Sequence, residues 1–123
     1  MFKVIIAGSR SFDDYKLLKE KMDLFLKNKI DKNKPCSNIE IVSGTARGAD
    51  TLGEKYAKEK GFALKKFPAN WDLYGKKAGY IRNREMRDYA DVCVVFWDGE
   101  SKGSKHMINL AKEDNMPIRV VMF

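Results

Sequence analysis

The sequence predicts a three-layer α/β domain around a five-stranded parallel sheet with strand order 3-2-1-4-5. Strand-like and helix-like segments alternate along all 123 residues, which is typical of a parallel sheet covered by helices on both faces. The most apolar segments, 2–7 and 91–97, suit the centre of the sheet, and the more polar segment 62–67 suits an edge. In such a sheet a ligand crevice opens at the carboxyl ends of the strands, where the winding reverses.

Each element follows from periodicity and from residues that begin or end helices. Asp13 or Asp14 can cap a helix over about 14–28, and Gly61 can end a helix over about 49–60. The predicted strands are 2–7, 39–43, 62–67, 91–97 and 118–123. The predicted helices are 14–28, 49–60, 79–90 and 103–114, and the longer predicted loops are 28–38 and 68–78.

Length and composition favour one soluble domain spanning residues 1–123. Charged residues make up 33% and hydrophobic residues 44% of the chain. No run approaches the roughly 18 apolar residues of a membrane helix, and the N-terminus lacks the pattern of a signal peptide. The two cysteines, Cys36 and Cys93, indicate neither a metal site nor a disulfide framework. We therefore expect a cytoplasmic protein without a bound metal.

The positive charge has two explanations. The formal net charge of +7 can reflect a lysine-rich surface or a surface that binds an anionic partner, and the sequence favours neither explanation. Arginine placement is more informative, because guanidinium groups pair bidentately with phosphate or carboxylate. Arg82 and Arg84 cannot share one helix face, so we expect one of them at the site. The arginines in or beside predicted loops are Arg10, Arg47, Arg82, Arg84 and Arg87.

Three loops combine glycine, hydroxyl groups and a cation at the predicted carboxyl edge of the sheet. They are 8–11 (GSRS), 43–50 (SGTARGAD) and 98–104 (DGESKGS). Each leads towards a helix, whose free N–H groups and dipole favour an anion. None fits GxGxxG or the P-loop pattern, which disfavours an ordinary dinucleotide domain or a P-loop NTPase. The predicted ligand-binding residues in these loops are Gly8, Ser9, Arg10, Ser43, Gly44, Arg47, Gly48, Asp50, Gly99, Lys102, Gly103 and Ser104.

Further candidates lie around these loops. Trp71 and Tyr74 can stack on a base or can cover the sheet edge. Asn83 follows on the next predicted helix, and His106 lies in the first turn of the predicted helix 103–114. Asp98 ends the predicted central strand, where it can contact a ribose hydroxyl, act as a base, or hold its own loop by accepting backbone N–H bonds.

A family likeness is carried by AGSRSF, VSGTARGADTLGEKYA, FPANWDLYGKKAGYIRNREM, YADVCVVFWDGESKG and HMI together. These stretches resemble the YspA-type branch, the YAcAr family, of the SLOG superfamily over nearly the whole chain. The resemblance implies a Rossmann-like fold and a nucleotide-derived ligand, similar to NAD or ADP-ribose. It also implies a sensing or sequestering role in bacterial or phage conflict, in the host cytoplasm if a phage encodes the protein. Related folds often dimerise, which makes a homo-oligomer an expectation.

The resemblance leaves an enzymatic alternative open. The chain is more distantly similar to Lonely Guy phosphoribohydrolases, whose motif arginine matches Arg82 in RNREM. Their glycine-rich loop falls on GESKGSKHM, but neither His106 nor Met107 supplies the carboxylate that an oxocarbenium-like transition state requires. Asp98 or Glu100 could substitute, so the candidate catalytic residues of an N-glycosidase are Arg82, Asp98 and Glu100.

Nucleic-acid binding is the third hypothesis. The net charge and a resemblance of DNA-processing DprA proteins to the same superfamily both suggest it. We rank it below a small nucleotide-like ligand, because no basic helix with base-reading residues is evident. The sequence predicts no certain cofactor beyond that ligand and no membrane partner.

Overall fold

A five-stranded parallel sheet forms the centre of the protein in a computed structural model that describes residues 1–30, 32–33 and 38–123. Its strand order, 3-2-1-4-5 by position along the chain, confirms the prediction. The strands are β1 (Phe2–Gly8), β2 (Ile39–Ser43), β3 (Ala63–Lys66), β4 (Val92–Trp97) and β5 (Ile118–Met122). Cys36, and with it most of the second half of the predicted loop 28–38, lies outside the described residues.

All but the shortest of the helices begin and end close to the predicted residues. They are α1 (Tyr15–Leu26), α2 (Ala49–Lys60), α3 (Trp71–Tyr74), α4 (Ala78–Tyr89) and α5 (Lys102–Glu113). Asp14 caps α1 by accepting the Leu17 N–H at 3.0 Å, and Gly61 ends α2 in the left-handed conformation. Because α5 begins at Lys102, His106 lies in its second turn and not in the first. In the described part of the chain, no helix combines the length and apolar character needed to span a bilayer.

The predicted loop 68–78 is wrong over most of its length. It contains α3 and a 3₁₀ turn at Gly75–Lys77. Asn70 caps α3 by accepting the Leu73 N–H at 3.1 Å, and Gly75 ends it at φ 58°. A single helical turn is too short to reveal apolar periodicity in a sequence, so the pattern predicted only a loop.

Helices cover both faces of the sheet, as the apolar central strands predict. Val4 and Ile6 of β1 pack in one buried cluster with residues of α1 and α2. Ile5 and Ala7 point to the other face and pack with residues of α4 and α5. A strand buried on both faces lies in the middle of the sheet, whereas β3 at the edge exposes most of its side chains.

Candidate functional site

The loop after β1 is fixed to the end of β4. Ser9 is 1% exposed; its N–H donates to the Phe96 carbonyl at 2.9 Å, and its Oγ accepts the Asp98 N–H at 3.1 Å. Gly8, at φ 154°, brings the two backbones so close that a Cβ would lie 2.1 Å from the Phe96 carbonyl oxygen. The exposed Arg10 therefore extends from a well-anchored backbone at the point where the winding of the sheet reverses.

The loop after β2 is docked onto the loop after β1. The Ala49 N–H, at the start of α2, donates to the Ser9 carbonyl at 3.3 Å. Gly48 precedes it at φ 79°, and a Cβ there would lie 2.3 Å from the same carbonyl oxygen. Asp50 closes the loop by accepting the Ala46 N–H on Oδ2 at 3.1 Å. The N-terminus of α2 thus donates the Ala49 N–H to the protein and not to a ligand.

The loop after β4 is organised by Asp98. Its Oδ1 accepts the N–H groups of Ser101 and Glu100, each at 2.9 Å. These two bonds, the one from Ser101 first, hold the pKa of the Asp98 carboxyl below its usual value. Ser101 then caps α5, accepting the Ser104 N–H at 3.5 Å. The sequence predicts that Asp98 contacts a ribose hydroxyl, acts as a base, or holds its own loop. These hydrogen bonds show that it holds its own loop.

Arg82 connects α4 to the loop after β2. Its Nη1 donates to the Gly44 carbonyl oxygen, and its Nε donates to Asn83 Oδ1 at 3.0 Å. Asn83 is itself buried; its Nδ2 donates to the Gly103 carbonyl at 3.3 Å and lies 3.1 Å from His106 Nδ1. Burial lowers the pKa of the Arg82 guanidinium, which still stays protonated at any physiological pH. The guanidinium is therefore a cation held in a fixed orientation.

These loops and α4 surround an open cavity of about 400 Å³. A smaller cavity of about 90 Å³ shares Arg10, Ala46 and Arg82 with it. The larger volume lies in the range of small-molecule sites. The larger cavity is lined by Ala7, Gly8, Ser9, Arg10, Ser11, Ala46, Asp50, Arg82, Asn83, Met86, Asp98, Ser101, Gly103, Ser104 and Met107. The smaller is lined by Arg10, Gly44, Thr45, Ala46, Ala69, Trp71 and Arg82.

Asp50 brings a negative charge to the wall of the larger cavity. It is 4% exposed, and burial raises the pKa of its carboxyl to about 6. The hydrogen bond from the Ala46 N–H and the charges of Arg82 and Arg10 lower this pKa, but by less than burial raises it. In the described ranges, no arginine nitrogen lies within 4.0 Å of this carboxylate. At neutral pH the cavity therefore holds a mostly ionised carboxylate without a direct ion pair.

The predicted site residues divide into three groups. Those that line the larger cavity are Gly8, Ser9, Arg10, Asp50, Arg82, Asn83, Asp98, Gly103 and Ser104. Gly44 and Trp71 line the smaller cavity. The predicted residues that line neither cavity are Ser43, Arg47, Gly48, Tyr74, Gly99, Glu100, Lys102 and His106.

Several residues of the third group have contacts that stabilise the loops. The Ser43 hydroxyl donates to Glu54 Oε2 at 2.7 Å and accepts the Thr45 N–H at 3.1 Å. His106 packs its ring against Tyr80 with centroids 4.5 Å apart. Arg47 and Glu100 are exposed beside the site. The lining residues that sequence reasoning missed are Ala7, Ser11, Ala46, Met86, Ser101 and Met107 in the larger cavity, and Thr45 and Ala69 in the smaller one.

A family comparison identifies the relationship of this chain. Residues 2–74 match the family described as "YAcAr: YspA, cpYpsA-related SLOG family". The chain belongs to this family. A relative of this chain, the Gene 61 protein of Mycobacterium phage D29, is 33% identical over an alignment of 124 positions that covers 96% of this chain and 94% of the phage protein. The family match includes Arg10 and Asp50; Arg82 and the loop after β4 lie beyond it.

Two solved structures of DNA processing protein A share the fold of this YAcAr protein. The Helicobacter pylori structure has a TM-score of 0.65 and 25% identity, and the match covers 97% of this chain and 64% of that one. The Streptococcus pneumoniae structure has a TM-score of 0.71 and 20% identity, with coverages of 98% and 50%. The YAcAr chain thus spans less than two thirds of either protein. The Helicobacter pylori structure is described as revealing a single-stranded DNA binding mode.

Proposed function

We propose that this YAcAr protein binds a phosphorylated nucleotide, or a derivative such as ADP-ribose or NAD, at the carboxyl ends of β1, β2 and β4. The observation that carries the proposal is the convergence of Arg10 and Arg82 on one cavity. Guanidinium groups pair with phosphate through two parallel, charge-assisted hydrogen bonds. Binding of this kind suits a protein that senses or sequesters a nucleotide signal.

The two arginines would bind phosphate in different ways, Arg82 as a fixed cation and Arg10 as an exposed one. Arg82 is held by Gly44 and Asn83, so little side-chain entropy is lost when it binds an anion. Arg10 is exposed and can close over the ligand from the opposite loop. The Ser104 hydroxyl adds a hydrogen-bonding group from the start of α5, where the helix dipole also favours negative charge.

The shape of the site suggests where the rest of the ligand lies. A cavity of about 400 Å³ is at the small end of ligand pockets and suits one nucleotide unit. The smaller cavity continues past Arg10 and Arg82 to Trp71, whose side chain is half-exposed. An aromatic ring at that position can stack on a base or on a second ribose unit. A dinucleotide would therefore extend from the larger cavity towards Trp71.

Removing either arginine of the cavity is expected to weaken nucleotide binding by about 10- to 100-fold, because each guanidinium makes charge-assisted hydrogen bonds. Isothermal titration with AMP, ADP-ribose and NAD would measure this in Arg10→Ala and Arg82→Ala. Arg47→Ala is the matched control, since Arg47 belongs to the loop after β2 but lines neither cavity. The proposal fails if the wild type binds none of the three, or if all three variants behave alike.

Single-stranded DNA is a second candidate ligand. It is favoured by the single-stranded DNA binding mode described for the Helicobacter pylori neighbour. This chain adds a net charge of +7 and the exposed rings of Trp71 and Tyr74 beside the smaller cavity. Exposed aromatic rings next to cations are the usual means of holding unpaired bases.

If DNA is the ligand, Trp71→Ala should weaken binding of a fluorescent oligothymidine by about 5- to 100-fold, as expected for one lost stacking contact. Affinity should also fall steeply with salt and rise with oligonucleotide length. Fluorescence anisotropy would record all three effects. Leu73→Ala is a control on the same helical turn, because Leu73 is exposed but has no ring. Equal binding by the two variants would argue for nonspecific charge alone.

A further inference from the structure

One carboxylate oxygen of Asp50 accepts no hydrogen bond from the described residues of the protein. Oδ2 accepts the Ala46 N–H at 3.1 Å. Within the described residues, Oδ1 accepts no hydrogen bond. Every fully buried side-chain oxygen in those residues has a hydrogen-bond partner, so Oδ1 is not one of the fully buried atoms. Oδ1 must therefore be accessible from the cavity, although the residue as a whole is only 4% exposed. A nearly buried carboxylate with an open acceptor is a costly arrangement unless a donor arrives.

The neighbouring charges do not satisfy this acceptor. Arg10 and Arg82 line the same cavity, but in the part of the chain that the structure describes neither approaches the carboxylate within 4.0 Å. Asp98 has less need of a donor from a ligand, because its Oδ1 accepts two backbone N–H groups and the residue is partly exposed, so water can reach its other oxygen. Glu100 is exposed and lies outside the cavity.

We propose that Asp50 accepts a hydrogen bond from a ribose hydroxyl of the bound nucleotide and so selects ribonucleotides over deoxynucleotides and bare phosphate. The inference rests on the proposed nucleotide-binding function. The two arginines attract any phosphate, whereas an adjacent carboxylate repels one that brings no donor. A hydroxyl offers that donor, and its loss would leave a buried carboxylate unpaired, a situation that binding sites reject strongly.

The test measures discrimination as well as affinity. Wild type and Asp50→Asn would be titrated calorimetrically with AMP, 2′-deoxy-AMP, 3′-deoxy-AMP and pyrophosphate. We expect the wild type to bind AMP about 10- to 100-fold more tightly than at least one deoxy analogue. In Asp50→Asn that ratio should fall towards one, while pyrophosphate binds more tightly because a negative charge has gone. Glu85→Gln, altered at an exposed residue of α4 that lines neither cavity, should match the wild type throughout, and circular dichroism would confirm the fold of each variant.

The outcomes separate this inference from the function on which it rests. If the wild type binds AMP but discriminates no more than Asp50→Asn, the hydroxyl contact is wrong and nucleotide binding stands. If Asp50→Asn is folded but loses AMP and pyrophosphate equally, Asp50 only anchors its loop and the inference is again wrong. If the wild type binds neither AMP, ADP-ribose nor NAD, the proposed function itself fails, and the inference fails with it.

Discussion

Gly8→Ala is expected to lower the free energy of unfolding by at least about 3 kcal/mol, a large fraction of the roughly 5–15 kcal/mol by which small domains are stable. The added methyl group would lie 2.1 Å from the Phe96 carbonyl oxygen and 2.9 Å from the Ala49 Cβ. Both neighbours belong to the central sheet or to the start of α2, so neither can move alone. The backbone at φ 154° is also one that residues with a Cβ rarely adopt.

Gly103→Ala provides the matched control for this substitution. Gly103 belongs to the same site but lies in α5, where a Cβ would meet no atom within 4 Å. Alanine there should be neutral or should stabilise the protein by up to about 1 kcal/mol, since it favours the helix. Urea denaturation would compare the two variants with the wild type. A Gly8→Ala protein within 1 kcal/mol of the wild type would contradict the close approach of β1 and β4.

Between pH 4 and pH 7 the wild type is expected to lose about 2 kcal/mol of stability that Asp50→Asn does not lose. Burial raises the pKa of this carboxyl in the folded protein to about 6, from its usual value of 3.8. Between these values the unfolded chain ionises first, so the wild type loses stability as the pH rises from about 4 to about 6. The asparagine variant does not titrate and avoids this loss.

Asp98→Asn should show the opposite dependence on pH. Backbone N–H groups lower the pKa of the Asp98 carboxyl in the folded protein. This carboxylate therefore contributes stability above its unfolded pKa, and the contribution is lost as the pH falls through the folded one. Unfolding of the wild type and both variants, measured from about pH 2 to pH 8, would test the pair, because the contribution of Asp98 changes only below its unfolded pKa. Parallel curves for the wild type and Asp50→Asn would show that Asp50 is not buried as the structure has it.

A residue that costs stability at neutral pH is a good candidate for function. Asp50 fits this description, because it is buried in the cavity wall and lacks a direct ion pair with either arginine in the described structure. The sequence placed it in the site through the motif SGTARGAD, but gave no reason to distinguish it from its neighbours. Its raised pKa arises from packing around α2, which no local pattern encodes.

Much of the candidate site was nevertheless predictable, because the topology brings the ends of β1, β2 and β4 to one edge. Arg10, Asp98 and Gly103 follow directly from that rule, and each lines the cavity. The rule does not predict which side chains of a loop face the cavity, as Arg47 shows. It belongs to the right loop, but Gly48 and the docking of Ala49 on Ser9 leave its side chain outside both cavities.

By itself, the sequence determined the strands, the longer helices and the sheet order of this YAcAr protein. These depend on apolar runs, helix caps and the burial of β1 on two faces, all of which act over short stretches or through simple layering. Only the tertiary structure decided the contacts of Arg82 and the burial of Asp50. Those depend on where side chains from distant elements meet, and a difference of a few ångströms there decides which groups a ligand can reach.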